Sequence, residues 1–250
     1  IANHTLATND LNYGLAPYDN SEALAHDRWN YQVAASTGTL TNGKGYSIKL
    51  DAIGDISFEG TLQTADVTKT ITLGASGGGT NFNLVGNPYP SYLNSNTFMT
   101  NNSNITTTVW VWNQSLPDYE TKNLASSFEL APGQGFFIEA NSGASVLFEK
   151  STLSHEITNT FQKSANPYIK FSINSGGIKR YAEVYYLNNV TKGFDNGYDG
   201  ELFGGVSHPF AVYSHLVSES QGKNYQIQSL PNSDYENMLI PVGINAAAGK

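Results

Sequence analysis

Cysteine is absent from the 250-residue chain, so no disulfide and no thiolate metal site can staple it, and the fold has to rest on its apolar core. Charge is scarce as well: Asp, Glu, Lys and Arg make up 14% of the residues, about half the usual share of a soluble domain. That charge leans acidic, with 13 basic against 21 acidic side chains and a formal net charge of −8. Such a balance argues against nonspecific attachment to nucleic acid and to an anionic membrane surface. No apolar run approaches the roughly 18 residues of a membrane-crossing helix, so membrane insertion by a helix is not expected. The five histidines, at positions 4, 26, 155, 208 and 215, form no HExxH or other close metal pairing. The Gly-rich runs lack P-loop lysine and dinucleotide spacing, and there is no G-x-S-x-G elbow. Helical periodicity is equally thin. The single candidate, Ser21–Tyr31, has a serine at the capping position and would span two or three turns.

Aromatics are plentiful at 12%, and Asn, Ser, Thr, Gly and Tyr carry most of the polarity. A surface of amides and hydroxyls between β-branched and aromatic runs is the composition of extracellular all-β proteins, and it suits contact with sugars as well as plain solubility. Strands are expected at 45–50, 56–62, 68–73, 81–85, 106–112, 135–140 and 145–148, then at 168–174, 180–187, 210–213, 225–230 and 239–244. Turn chemistry separates them, as in Asn42-Gly43 and Pro132-Gly133. Short strands at this spacing predict an all-β chain, read as two tandem β-sandwich domains of jelly-roll or immunoglobulin-like type. The boundary is drawn from charge. Residues 1–148 hold five basic and twelve acidic side chains, a net of −7, whereas 149–250 hold eight and nine, a net of −1. The expected domains are therefore 1–148 and 149–250, joined near 149–164, with the second truncated at its C-terminus.

Within the first domain, Phe82–Val85 runs directly into Gly86-Asn87-Pro88-Tyr89-Pro90. Each proline removes a backbone donor and pushes the residue before it toward extended backbone, so a strand should end there in a rigid corner. Tyr89 then either covers the core edge or presents its ring to a ligand, and Asn87 can satisfy turn backbone groups with its amide. Gly133-Gln134-Gly135 is read as a turn that delivers Phe136-Phe137-Ile138 into the core.

Chemistry concentrates in two places. Trp110 and Trp112 lie two apart on a predicted strand, so both rings leave one face about 7 Å apart. Turned outward, they could stack on successive sugar rings, with Asp118, Tyr119 and Glu120 as polar neighbours; turned inward, they are core. Asp195, Asp199 and Glu201 lie in the Gly-rich loop FDNGYDGELFGG, and close-spaced oxygens could hold calcium. The spacing is not that of an EF-hand, because Val206 occupies the twelfth position from Asp195, and aspartates also cap ordinary turns. Carboxylates for a glycosidase pair exist in any chain with 21 of them, and sequence does not say which approach one another.

The order Trp29, Leu40–Tyr46, Ile56–Gly60, Asn83–Ser91, Val109–Asn113 and Leu130–Ile138, followed by Gly193–Asp199 and Phe210–Ser214, resembles modules of large secreted proteins of the Bacteroidetes. The resemblance implies export by the type IX secretion system, with a C-terminal sorting domain beyond this segment. It implies no single activity. Together with Ile1 in place of Met, it leads to the expectation of a mature or excised piece of a longer secreted or cell-surface protein whose final strand, near 239–244, leaves an edge open. The functional expectation is a non-catalytic carbohydrate-binding or adhesion module. Its partners would be a polysaccharide or cell-surface glycan and, through the missing domain, the secretion machinery, with calcium as the only cofactor considered. A structural spacer and a polysaccharide-degrading enzyme are the alternatives.

Overall fold

The computed structural model describes residues 4–33, 38–75, 78–154, 167–233 and 237–247. The chain is all-β, with one short α-helix, and divides into two compact units that interleave in sequence. The first contains Ile1–Ile105 and Glu129–His155, and the second contains Thr106–Phe128 and Glu156–Lys250. The division differs from a single cut at 148/149, because the segment 106–128 clusters with the C-terminal unit. Charge composition carries no trace of this, since a hairpin's allegiance is set by what covers its faces. The expected linker beyond residue 154 lies outside the described residues.

In the first unit, Phe82–Gly86 pairs antiparallel with Gly135–Ala140, so that Val85 faces Phe136 and Leu84 faces Phe137. Val67–Thr70 pairs with Ser145–Phe148, and Tyr92–Asn94 lies between Glu129–Leu130 and Leu153–Ser154. Both faces of the Gly135–Ala140 strand are covered. Phe136 packs edge-on to Phe98, while Phe137 packs edge-on to Tyr18 and Trp29. The turn before this strand is built by Gln134, whose side-chain oxygen accepts the Ala131 amide at 2.8 Å while Gly133 adopts a φ of +69°. A β-carbon at Gly133 would also crowd the Phe58 ring, so glycine answers two demands at once.

The corner at Asn87–Pro90 behaves as architecture. The Asn87 amide donates to the carbonyls of Ser91, Leu130 and Ala131 and its oxygen accepts the Tyr89 amide, which satisfies four backbone groups in a buried bend. Tyr89 is 2% exposed and donates its hydroxyl to the Phe148 carbonyl. The ligand role expected for Tyr89 is thereby corrected: its ring closes the core. Burial raises its phenol above the ordinary value.

Two local readings change. Ser21–Tyr31 forms turns rather than a helix, because the buried Arg28 guanidinium captures the carbonyls of Glu22, Ala23 and Gly78. The helix forms at Ser95–Asn101 instead, where Asn94 caps the Thr97 amide at 2.9 Å and Phe98 and Met99 are buried. The strand expected at 56–62 does not form, and Phe58 and Leu62 stay exposed.

The second unit is built on one mixed sheet in the order Tyr168–Ser175, Ile178–Leu187, Tyr225–Pro231, Ala211–Ser214, Val242–Asn245, with Gly200–Glu201 also pairing Tyr225–Pro231. Gly176 and Gly177, both at positive φ, make the two-residue turn that joins the first pair. Ile178–Leu187 and Tyr225–Pro231 run parallel, and the chain between them supplies the covering loop and two further strands. Val242–Asn245 is the outermost strand on its side, and its residues alternate between exposed and half-buried.

Candidate functional site

The hairpin Ile105–Asn113 and Asp118–Asn123 carries the residues on which the sugar-binding expectation rests. Its register sets Trp110 opposite Thr121, Trp112 opposite Tyr119 and Asn113 opposite Asp118. Residues 114–117 close it, with the Asn113 side-chain oxygen accepting the Ser115 amide at 2.8 Å.

Strand alternation puts the two tryptophans on one face, yet they meet different surroundings. Trp110 is 2% exposed: its ring lies 5.6 Å from Phe203, and its indole N–H donates to the Glu201 carbonyl at 3.1 Å. Trp112, nearer the turn, is 47% exposed. Its N–H donates to the Gln114 side-chain oxygen at 2.9 Å, which holds the ring in one orientation. Tyr119 stands edge-on to it at 5.2 Å and packs in turn on Phe203 at 4.8 Å. The expectation of two outward coplanar rings is corrected accordingly. Trp110 belongs to the core, and the exposed aromatic surface is Trp112 flanked by Tyr119.

Asp118 is largely covered and serves the hairpin. One oxygen accepts the Tyr119 amide at 2.9 Å, and the other lies 2.6 Å from Arg180 Nε, an ion pair by distance although the N–H does not align as a hydrogen bond. Arg180 also donates to the Leu116 carbonyl inside the turn at 2.6 Å. His208 Nδ1 is 3.9 Å from the same carboxylate, and its Nε2 donates to the Phe203 carbonyl at 2.6 Å. Asp118 is therefore a positioning residue rather than a free ligand for a glycan. Glu120 accepts the Tyr181 hydroxyl at 2.6 Å and the Asn113 amide at 2.8 Å, and its other oxygen lies 3.2 Å from Lys122. Burial works to raise the Glu120 carboxyl, but these partners outweigh it and hold it below its ordinary value. Tyr181 moves the opposite way, raised by burial and by its bond to Glu120.

The three candidate calcium ligands are brought close in sequence but not turned toward one point. Asp195 accepts the Thr191 amide and hydroxyl. Asp199, 1% exposed, accepts the Asp195 amide with one oxygen and the Ser229 amide with the other, both at 2.7 Å. Glu201 forms an exposed ion pair with Lys223 at 2.5 Å. Among the described residues no three Asp, Glu, His or Cys side chains are grouped so as to hold a metal ion. Asp199 instead ties the Gly-rich loop to the Tyr225–Pro231 strand. Burial pushes its carboxyl up to about 7 against the opposing pull of the two amides.

Residues missed at the sequence level are Arg180, His208, Phe203 and Gln114. Each lies outside the strand that carries Trp112, and no local pattern marks it. The chain is all-β and presents one exposed aromatic ring, Trp112, flanked by the half-buried Tyr119. A family described as a domain of unknown function (DUF8693) matches residues 4–125, just under half of the chain, and the match ends within the second unit's hairpin segment. No curated protein and no solved structure matches the chain.

Proposed function

We propose that this chain is a non-catalytic carbohydrate-binding or adhesion module of a secreted or cell-surface protein, with Trp112 and Tyr119 as its stacking surface. The observation that carries this reading is the contrast along one strand: Trp110 is sealed under Phe203, whereas Trp112 is exposed and still held in place by Gln114 and Tyr119. A large ring kept in water at fixed orientation costs apolar burial, and stacking on the apolar face of a sugar ring recovers it. Gln114 and Ser115, exposed beside it in the turn, supply polar groups of the kind that meet sugar hydroxyls. Export by the type IX route and a glycan on the cell surface as partner accord with the resemblance and the Asn-, Ser- and Thr-rich composition.

A glycan array combined with a reducing-sugar assay tests the reading. Binding that is lost in Trp112→Ala, without sugar release, supports it. Retention of all binding in that variant overturns the assigned surface, release of reducing ends points to the enzyme alternative, and absence of any binding points to a structural spacer.

A further inference from the structure

A cleft of different chemistry lies in the first unit. Among the described lysines with no carboxylate within ion-pair distance, Lys49, Lys150, Lys179 and Lys192 are exposed; only Lys44 and Lys69 are half-buried. Both line the same cleft of about 300 Å³, at the small end of the range for ligand pockets. Two lysines lining one cleft in a chain with a net charge of −8 make a local concentration of positive charge that an anion would complement.

The remaining walls are polar. Asn30 and Thr70 bring an amide and a hydroxyl to the lining, while Thr72, also in the lining, donates its hydroxyl to Asn20 at 2.8 Å. Deeper in, Asn20 and Asn83 are spent on the Thr72 backbone and side chain, so the cleft is braced by its own hydrogen bonds. One carboxylate, Asp19, shares the lining, but its oxygen accepts the Ser21 hydroxyl at 2.6 Å and amide at 3.0 Å. Those bonds, with a smaller contribution from the charge of Lys44, keep it ionised and leave the cleft with one net positive charge. Lys69 projects from the Val67–Thr70 strand, and Lys44 extends past the Tyr46 ring, its ammonium 5.7 Å from the centroid.

From this geometry we infer that the cleft between Lys44 and Lys69 binds an anionic, hydroxyl-rich ligand of the size of one or two sugar rings, its acidic group held by the two ammoniums. The acidic group is a carboxylate or a sulfate, and the experiment separates them. The 250-residue chain is titrated calorimetrically with a glucuronate-bearing disaccharide, a sulfated disaccharide and a neutral one. One charged sugar should bind at least tenfold more tightly than the neutral sugar, with affinity falling as salt is raised; which one does so identifies the acidic group. Lys44→Gln with Lys69→Gln should lose that preference, whereas Lys44→Arg with Lys69→Arg, and the same charge change made at Lys49 and Lys150, should keep it. Trp112→Ala should leave it intact, which separates this site from the aromatic surface of the second unit. The inference is overturned if no charged sugar is preferred, if the Lys44/Lys69 glutamine variant binds like the parent, or if Trp112→Ala abolishes the preference.

Discussion

Trp110 and Trp112 share a strand, a face and a side chain, and differ only in what lies above them. The consequences of truncation should split accordingly. Trp110→Ala removes a core ring and an indole hydrogen bond, and should cost about 3–5 kcal/mol in chemical denaturation. Trp112→Ala removes a half-exposed ring and should shift the denaturation midpoint far less, acting chiefly on ligand binding. Asp199 gives a second residue-scale test. Its folded-state value of about 7 lies above its ordinary 3.8, so the folded protein holds this proton more tightly than the unfolded chain. Its stabilising contribution is complete below pH 4 and is lost as pH rises through 7, by about 1.4 kcal/mol per pH unit across the window. Glu120 has the opposite sign, contributing above its ordinary 4.5 and losing that contribution as pH falls below it. The Tm of the parent between pH 4 and 7 should therefore carry a downward component that Asp199→Asn lacks; parallel pH profiles for the two proteins would refute it. With both Asp199 oxygens committed to backbone amides, calcium added after chelation should leave Tm unchanged, and a rise abolished by Asp199→Ala would restore the calcium reading.

At the scale of elements, local polar side chains decide where strands stop and where the helix starts. Asn94 supplies the cap of the Ser95–Asn101 helix, and Asn94→Ala should cost about 1 kcal/mol in an equilibrium unfolding experiment. Asn87 does more, since four backbone groups in a buried corner depend on one amide. Asn87→Ala leaves several of them unpaired and should cost well above the ~1 kcal/mol of a single hydrogen bond. Equal effects for the two variants would show that the corner is not held by Asn87.

For the whole molecule, the decisive feature is that the segment 106–128 belongs with the C-terminal unit. Phe203, Glu201 and Arg180, which cover or anchor the hairpin, all lie beyond residue 149. A chain cut at 148 therefore keeps Trp110 but loses its cover. That fragment should bind a hydrophobic dye and show red-shifted tryptophan emission relative to the parent; native-like emission with no dye uptake would refute the assignment.

The all-β class and most of its strands were legible from the sequence because alternation and turn chemistry are local: Gly135–Ala140 and Ser145–Phe148 fall where the pattern puts them. The corner at Asn87–Pro90 and the Gly133–Gly135 turn were legible for the same reason, since proline geometry and positive φ act within a few residues. Strand 56–62 and helix 21–31 were misread because their fate depends on partners far along the chain, such as Gly133 against Phe58 and Gly78 beside Arg28. The aromatic surface was half legible. Period two placed Trp110 and Trp112 on one face, but burial of the first and exposure of the second follow from Phe203, some ninety residues away. The Lys44–Lys69 cleft left no sequence signal at all, because it is made by the close approach of separate strands and loops, and only tertiary structure brings the two lysines into one lining.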